Sequence, residues 1–531
     1  MQRTETKRSS AFDDLGIKKT VASLLEEIQA LYLGDSVPWV VGYSGGKDST
    51  ATLQLVWMAL AELPAEQRTK TVHVISTDTL VENPVVAAWV TQSLDTMRES
   101  ASRLGMPITP TRLIPAVTDT FWVNLIGKGY PAPRPKFRWC TERLKIRPSN
   151  TFISKVVRQN GEVILVLGTR KAESVARARS MERHERRRVR ERLSPNASLP
   201  NSLIYSPIED WSNDDVWMFL MQYTNPWGYR NKDLLTMYQG ASADGECPLV
   251  VDSSTPSCGD SRFGCWVCTL VDKDKSMQAM IQNDEEKEWM LPLLELRNEL
   301  DLTDDKPLRD FRRMKGTLTL YNSQLVHGPY TQEARERWLR RVLEAQRLVR
   351  RNGPEHVRKL ELISLLELQE IRRIWVVEKH EIEDSLPRIY AETTEEPYPG
   401  RAFEDGFTFG PDDIALLREV CGDDGLRFEL ARELLDIERQ HRSMAKRSGL
   451  FDALEGSIRK HFFTSAEDAA SYALSRQAER EQIQALREPQ PKAEKQKLVE
   501  PQGLKKTESQ QLPLIPDEAS ESSVDAPDRA V

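Results

Sequence analysis

The stretch VPWVVGYSGGKDSTATLQLVW, residues 37–57, decides the fold. Residues 37–43 are apolar and rich in β-branched side chains, as a buried strand requires, and the residues after Ser49 carry the apolar spacing of a helix. Between them Ser44, Gly45, Gly46, Lys47, Asp48 and Ser49 form a loop suited to phosphate. Two glycines let backbone N–H groups come close to an anion, two hydroxyls add donors, and the helix N-terminus favours negative charge. An ordinary Gly-Gly turn opening a helix is the plainer reading, and the strand directly before the loop argues against it. A G-x-x-x-x-G-K-[ST] loop is excluded: Val41 stands where its first glycine belongs, and Asp48, not a hydroxyl residue, follows Lys47.

Working outward, residues 70–77, 108–113 and 162–168 are further short β-branched segments, separated by helical patterns such as STATLQLVWMALAEL and NPVVAAWVTQSLDTMRESASRLG. This alternation predicts an α/β fold, a mainly parallel twisted sheet flanked by helices. Residues 128–140, rich in proline and basic side chains, predict an irregular loop, and DWSNDDVWMFLMQ from Asp210 predicts a capped amphipathic helix. The organisation expected is an N-terminal helical extension (1–35), a nucleotide domain (36–240), a cysteine-rich segment (241–280), a helical accessory region (281–480) and a tail (481–531). In the helical region Ala334, Trp338, Val342, Ala345 and Val349 recur at helical spacing. The tail has too few apolar residues to offset ordering entropy and is expected to be disordered.

The chain has 531 residues, with 74 Lys and Arg against 81 Asp and Glu and a net charge of −7, so any nucleic-acid contact must be a local patch. No apolar run approaches the roughly 20 residues of a membrane helix, and the N-terminus lacks an apolar signal core, so a cytoplasmic protein with no membrane partner is expected. Of six cysteines, Cys247, Cys258, Cys265 and Cys268 fall in one short stretch, Cys140 lies upstream and Cys421 stands alone. In a reducing compartment that clustering reads as metal binding or sulfur chemistry.

The S-G-G-K-D-S pattern resembles the PP-loop of ATP pyrophosphatases, which split ATP between its α and β phosphates. Three further segments resemble the phosphoadenylyl-sulfate reductase branch of that superfamily. Ser76-Thr77-Asp78-Thr79 looks like its Asp-Thr block, although Glu82 here precedes Pro84 where that family has Pro then Glu. Gly168-Thr169-Arg170-Lys171-Ala172-Glu173-Ser174 with Arg177 resembles its G-x-R-x-x-E-S-x-x-R block. Pro207-Ile208-Glu209-Asp210-Trp211 followed by Asp215-Val216-Trp217 resembles its P-I-x-x-W-x-x-x-D-V-W block. The resemblance covers about residues 37–225. It implies that ATP is bound by Ser44, Gly45, Gly46, Lys47, Asp48, Ser49, Asp78, Gly168, Arg170, Glu173 and Arg177, with Mg2+ near Asp48 and Asp78.

The segment Phe137–Lys145 resembles the C-C-x-x-R-K segment of cluster-bearing reductases, with one cysteine where they have two. That likeness implies a 4Fe-4S cluster on Cys140, Cys265, Cys268 and a fourth thiolate, for which Cys258 is the nearest candidate. An all-cysteine zinc site is the alternative, though such a site usually shows two short C-x-x-C turns. Cys247 is read as a persulfide-carrying catalytic thiolate, with two alternatives open: fourth ligand in place of Cys258, or inert buried thiol. Cys421 is read as structural. The basic run from Arg170 to Arg192 is either a solvated helix or a contact for a polyanion, and Lys128, Arg134, Lys136 and Arg138 could join the same face.

A complete pyrophosphate loop, a GECP…SCGD…GCWVC segment and a long helical C-terminal half together resemble DndC, the sulfurtransferase family of DNA phosphorothioation systems. That likeness implies DNA as substrate, a cysteine desulfurase as sulfur donor, and other Dnd-system proteins as partners. In that reading Lys47, Asp48, Arg170 and Cys247 are catalytic. A tRNA thiolase, a phosphoadenylyl-sulfate reductase-like enzyme, and a nucleotide- and cluster-binding sensor without turnover are the competing readings.

Overall fold

The computed structural model describes residues 10–242, 263–401, 409–442, 444 and 446–487, so Cys247, Cys258 and the tail beyond Arg487 lie outside the described residues. The chain divides into two units after Ser475. The second contributes residues 476–487, a helical stretch with an Arg476–Glu479 ion pair of 2.9 Å. The first unit holds everything that follows.

Its N-terminal part runs α1 (Ile17–Leu33), β1 (Trp39–Gly42), α2 (Lys47–Glu62), β2 (Val72–Thr77), α3 (Pro84–Arg103), β3 (Ile108–Leu113), α4 (Arg147–Asn160), β4 (Val163–Val166), α5 (Val175–Glu185), β5 (Ser194–Pro195), β6 (Ser202–Tyr205), α6 (Asn213–Gln222) and α7 (Asn231–Gly240). The strands form one sheet in the order β3-β2-β1-β4-β6-β5. The first five are parallel in register, with Val41 opposite Val74 and Val166, and only the short edge strand β5 runs antiparallel, on β6. Alternation along β1 sends Trp39 and Val41 into a core with Leu53 and Trp57 of α2, and Val40 to the other face with Ile153 and Val156 of α4. The sheet is thus covered on both sides, as a parallel sheet of near-continuous apolar strands must be. The four strands expected from sequence are present, and β6 extends the sheet beyond them.

Helix α6 begins where the capping residues of DWSNDD predict. The Ser212 hydroxyl accepts from the Asp215 N–H at 3.1 Å, and the Asp215 carboxylate accepts from the Ser212 N–H at 2.8 Å. Asp215 is fully buried and also receives the Ala11 N–H at 3.1 Å, which ties the N-terminal segment to the sheet domain.

The C-terminal part is helical: α8 (Lys275–Asn283), α9 (Leu291–Leu300), a two-residue-a-side hairpin of β7 (Leu320–Tyr321) and β8 (Gln324–Leu325), then α10 (Gln332–Asn352), α11 (Leu365–Arg373), α12 (Ser385–Thr394), α13 (Pro411–Cys421), α14 (Gly425–Arg442), α15 (Leu450–Lys460) and α16 (Ala466–Arg487). The apolar stripe expected on α10 is buried along its length. Its partners come partly from the insertion between β3 and α4: Phe121, Trp122 and Trp139 share one core with Trp266, Trp338 and Trp375. Two buried hydrogen bonds fix the docking, from Trp122 Nε1 to the Leu362 carbonyl at 2.7 Å and from Trp375 Nε1 to the Ile126 carbonyl at 2.9 Å. No described helix is long and apolar enough to cross a membrane.

Candidate active site

β1 lies between β2 and β4, so the connections leaving its end and that of β4 diverge and open a crevice at the carboxyl ends of the strands. The loop 44–49 fills one side of it. Gly45 has φ +76°, and a Cβ there would meet Val90 Cγ2 at 2.4 Å, so both backbone sign and space require glycine. The Ser49 hydroxyl donates to the Gly46 carbonyl at 3.0 Å and accepts the Ser44 N–H at 3.2 Å, closing the loop on itself. Gly46 caps α2 without a side chain, which leaves the first N–H groups of the helix directed at the crevice. The Tyr238 hydroxyl stands 3.4 Å from the Lys47 nitrogen.

The Gly168 block forms the facing wall. A Cβ on Gly168 would lie 2.7 Å from the Asp48 carbonyl oxygen, so the strand end and the first turn of α2 touch backbone to backbone. Arg170, 4% exposed, gives its Nε to Asp48 at 2.7 Å and its Nη1 to the Trp211 carbonyl at 3.2 Å, while its N–H is received by Glu173 at 2.9 Å. Lys47 Nζ takes the other Asp48 oxygen at 2.9 Å. Asp48 therefore sits between two cations at the mouth of the loop. The resulting cleft of about 1150 Å³ is lined by Ser44 to Ser49, Asp78, Gly168, Arg170 and Glu173. Of the expected nucleotide set only Arg177 lies outside it, on α5, paired with Glu173 at 3.4 Å.

The thiols approach the cleft from its β2 side. Asp78 accepts the Leu80 N–H at 2.7 Å and a hydrogen bond from Arg112. Two residues past Leu80, Glu82 pairs with the backbone of Cys265 as an isolated antiparallel bridge. Thr79 Oγ1 donates to Glu82 at 3.0 Å and lies 3.3 Å from Cys265 Sγ, and Lys145 Nζ reaches Glu82 at 3.2 Å. Glu82 and Lys145 also line the nucleotide cleft, so one carboxylate faces the cleft and the Cys265 thiol together. Burial pushes the Cys265 thiol up to about 12, and the Glu82 charge adds to it. Burial also raises the Cys140 thiol, with Cys268 as a further raising neighbour, so the three described thiols lie within electrostatic reach of one another. Burial works against the charge on Lys145, but Cys265 and Glu82 outweigh it and hold the lysine above its ordinary value. The C-x-x-C turn is closed by the Cys268 N–H donating to the Cys265 carbonyl at 3.0 Å. Among the described residues no three His, Cys, Asp or Glu side chains stand arranged around a metal ion. Cys421 is buried on α13.

The basic run divides into paired and open residues. Lys171 binds Glu185 and Asp210, Arg188 binds Glu209, Arg190 binds Asp35 and Glu162, and Arg192 binds Glu27. Arg179, Arg183, Arg186 and Arg187 are exposed on and after α5 and form no ion pair among the described residues. Lys128 and Arg134 do not join that surface: the first bonds the Thr118 carbonyl at 2.5 Å and the second Asp301 at 3.0 Å. Lys136 and Arg138 are exposed. Tyr238, Arg112, Thr79 and Lys145 are cleft or thiol neighbours for which the sequence held no assignment. Only Lys145, inside the Cys140 segment, carried a signal.

Residues 38–228 match the phosphoadenosine phosphosulfate reductase domain. An uncharacterized protein of Methanocaldococcus jannaschii is 28% identical over 190 residues, which are 36% of this chain and 32% of that protein, so the match spans about a third of the relative's length. Among solved structures, the phosphate complex of phosphoadenylyl-sulfate reductase from Candida auris aligns over 40% of this chain and 89% of its own, at 13% identity and a TM-score of 0.24. The U34-tRNA thiolase NcsA from Methanococcus maripaludis, with its 4Fe-4S cluster, aligns over 41% and 72%, at 15% identity and a TM-score of 0.26. Parallel strand order, phosphate loop and sequence match coincide on one segment: residues 38–228 carry a phosphoadenosine phosphosulfate reductase domain with a PP-loop.

Proposed function

We propose that the chain is an ATP-dependent sulfurtransferase that exchanges a non-bridging oxygen of a DNA backbone phosphate for sulfur. The observation that carries this reading is the shared wall of the two sites. Glu82 borders the pyrophosphate-type cleft and lies 3.7 Å from the Cys265 sulfur. Activation by ATP and delivery of sulfur are thereby neighbours in one chain, whereas a reductase acting on a preformed nucleotide has no need of a complete pyrophosphate loop.

ATP would lay its β and γ phosphates on the N–H groups of residues 45–49 and the Ser44 and Ser49 hydroxyls. Magnesium, which needs only one or two carboxylates besides phosphate oxygens, suits Asp48 and Asp78 and would neutralise charge on the phosphates. A non-bridging oxygen of the DNA diester attacks the α phosphorus. The bond to the β-phosphate oxygen breaks, pyrophosphate leaves, and the diester is adenylated. Lys47 offsets the charge that develops, and Arg170, occupied by Asp48 and the Trp211 carbonyl, acts by orienting Asp48. The terminal sulfur of a Cys247 persulfide, supplied by a cysteine desulfurase, then attacks the DNA phosphorus and AMP departs with the activated oxygen. A second thiolate attacks the Cys247 sulfur, freeing the phosphorothioate and leaving a disulfide that an external dithiol reduces. Cys140, Cys265 and Cys268, three soft donors in mutual reach, suit a 4Fe-4S cluster completed by Cys258 or Cys247, and such a cluster would supply a sulfur-binding or redox centre. Arg179, Arg183, Arg186 and Arg187 offer the open positive charge that a DNA backbone needs.

The test is mass spectrometry of nuclease-digested DNA and RNA from cells carrying the gene with its genomic neighbours, beside Ser44→Ala and Cys265→Ala versions. Phosphorothioate dinucleotides that vanish in both variants are expected. Unmodified DNA with a thiolated nucleoside in the RNA would replace this reading by tRNA thiolation, and no sulfur in either would replace it by a sensor or sulfate-assimilation role.

A further inference from the structure

The thiol-bearing turns are clasped from behind by helix α9. Arg297, 1% exposed, gives Nε to the Cys268 carbonyl at 3.0 Å and Nη1 to the Asp272 carbonyl at 3.1 Å, and Nη2 bonds the Val271 carbonyl. Nη2 also meets Asp301, one turn further along, at 2.9 Å. The same carboxylate receives Arg134 Nη1 at 3.0 Å, and Arg134 bonds the Leu302 carbonyl as well. Arg134 opens the turn to Phe137 that leads into Cys140. A direct tie closes the circuit, since the hydroxyl of buried Thr269, next to Cys268, donates to the Pro133 carbonyl at 2.6 Å.

We propose that Arg297 and Asp301 are positioning residues that set the spacing between Cys140 and the Cys265–Cys268 turn, and so govern what the thiols can hold. The inference deepens the reading of these thiols as cluster ligands and rests on it. Three observations separate this circuit from ordinary surface pairing. Arg297 is almost fully buried, it is committed to three carbonyls of one five-residue stretch, and Asp301 is shared between the two cysteine segments. A guanidinium fork can satisfy divergent carbonyls where an ammonium cannot. Outer partners of metal ligands act in this way, fixing ligands they never replace.

The experiment uses the full chain, purified anaerobically and supplied with ferrous iron and sulfide. The variants are Arg297→Lys, which keeps the charge and loses the fork, and Asp301→Asn, which keeps the shape and loses the charge. Iron and sulfide retained through a chelator wash are expected to fall about ten-fold in Arg297→Lys and by a smaller factor in Asp301→Asn, the range that loss of an outer partner has at metal sites. ATP binding by calorimetry is expected to stay at the wild-type value in both and serves as the control for folding. A second readout is alkylation of Cys140 and Cys268 in the metal-free chain, expected to quicken in both variants. Wild-type iron content and wild-type alkylation rates in both variants would overturn the proposal. A wild-type chain that holds no iron, with alkylation still faster in the variants, would sink the cluster reading and leave the positioning role standing.

Discussion

At the scale of single residues the cleft depends on contacts between backbone and buried charge. Gly168 is the clearest case, because an added methyl would meet the Asp48 carbonyl at 2.7 Å, and backbone cannot swing aside as a side chain can. Gly168→Ala is expected to push the first turn of α2 away from β4 at about 1–3 kcal/mol, the usual cost of overpacking, and to weaken ATP binding. Denaturant midpoints with calorimetric titration of ATP check both, and an unchanged affinity would show that the turn tolerates the shift. Arg170 tests charge. Replacing it by Met strips buried partners from Asp48 and the Trp211 carbonyl, with an expected cost of about 3 kcal/mol. Arg170→Lys keeps the ion pair and forfeits the carbonyl, so about 1 kcal/mol is expected. If the Lys variant is as unstable as the Met variant, the carbonyl bond and not the ion pair is what holds the wall.

At the scale of elements, α14 and α15 are joined by ionised side chains more than by apolar contact. Lys460 reaches Glu433 at 2.8 Å, and Glu429 stands between Arg312 at 2.8 Å and His461 at 3.5 Å. Burial alone would raise the Glu429 carboxyl, but His461 and Arg312 hold it at about 2, below its ordinary 4.5. A carboxylate depressed in the folded state contributes stability above its unfolded pKa and loses it as pH falls through the folded one. The urea midpoint is therefore expected to fall between pH 4.5 and pH 2, and Glu429→Gln to lower the midpoint at pH 7 while flattening that acid slope. Equal slopes in the two proteins would assign the acid sensitivity to other carboxylates. The elements also differ in how legible they are. Strands β1 to β4 are uninterrupted β-branched runs, and α6 carries its own cap, so periodicity and capping chemistry suffice for them. β5 spans two residues and β6 four, too short to set a period, and they are strands because β4 offers an edge. The two π-helical turns at Val123–Gly127 and Thr141–Ile146 have no sequence signature, being imposed by packing on either side of the 128–140 segment. In the cleft, the loop and the Gly168 block could be read because their spacing is local. The nearness of Glu82, Lys145 and Cys265 could not, because a bridge between residues 82 and 265 exists only in three dimensions.

At the scale of the whole molecule, the helical half supplies the packing for the thiol-bearing segments. The insertion between β3 and α4 contributes Phe121, Trp122, Val123, Leu125 and Ile126 to a core otherwise built by α8 to α12 and their connections, while the phosphate loop rests on the separate core of Trp39, Val41 and Leu53. Two cores imply that the two chemistries can be uncoupled by mutation. Trp375 is the place to do it: 2% exposed, it bonds the Ile126 carbonyl and lies under the Arg335 guanidinium at 5.3 Å. Trp375→Ala removes that packing and strands the carbonyl, with an expected cost of about 3–5 kcal/mol. In the metal-free protein the same change is expected to speed alkylation of Cys140, whose turn leans on this core, and to leave ATP affinity within about two-fold of wild type, an energy below about 0.5 kcal/mol. Denaturation followed by tryptophan fluorescence, mass-resolved alkylation and calorimetry on one preparation give all three quantities. Should ATP affinity fall with the loss of stability, the two cores would form one cooperative unit, and the nucleotide cleft would depend on the helical half as closely as the thiols do.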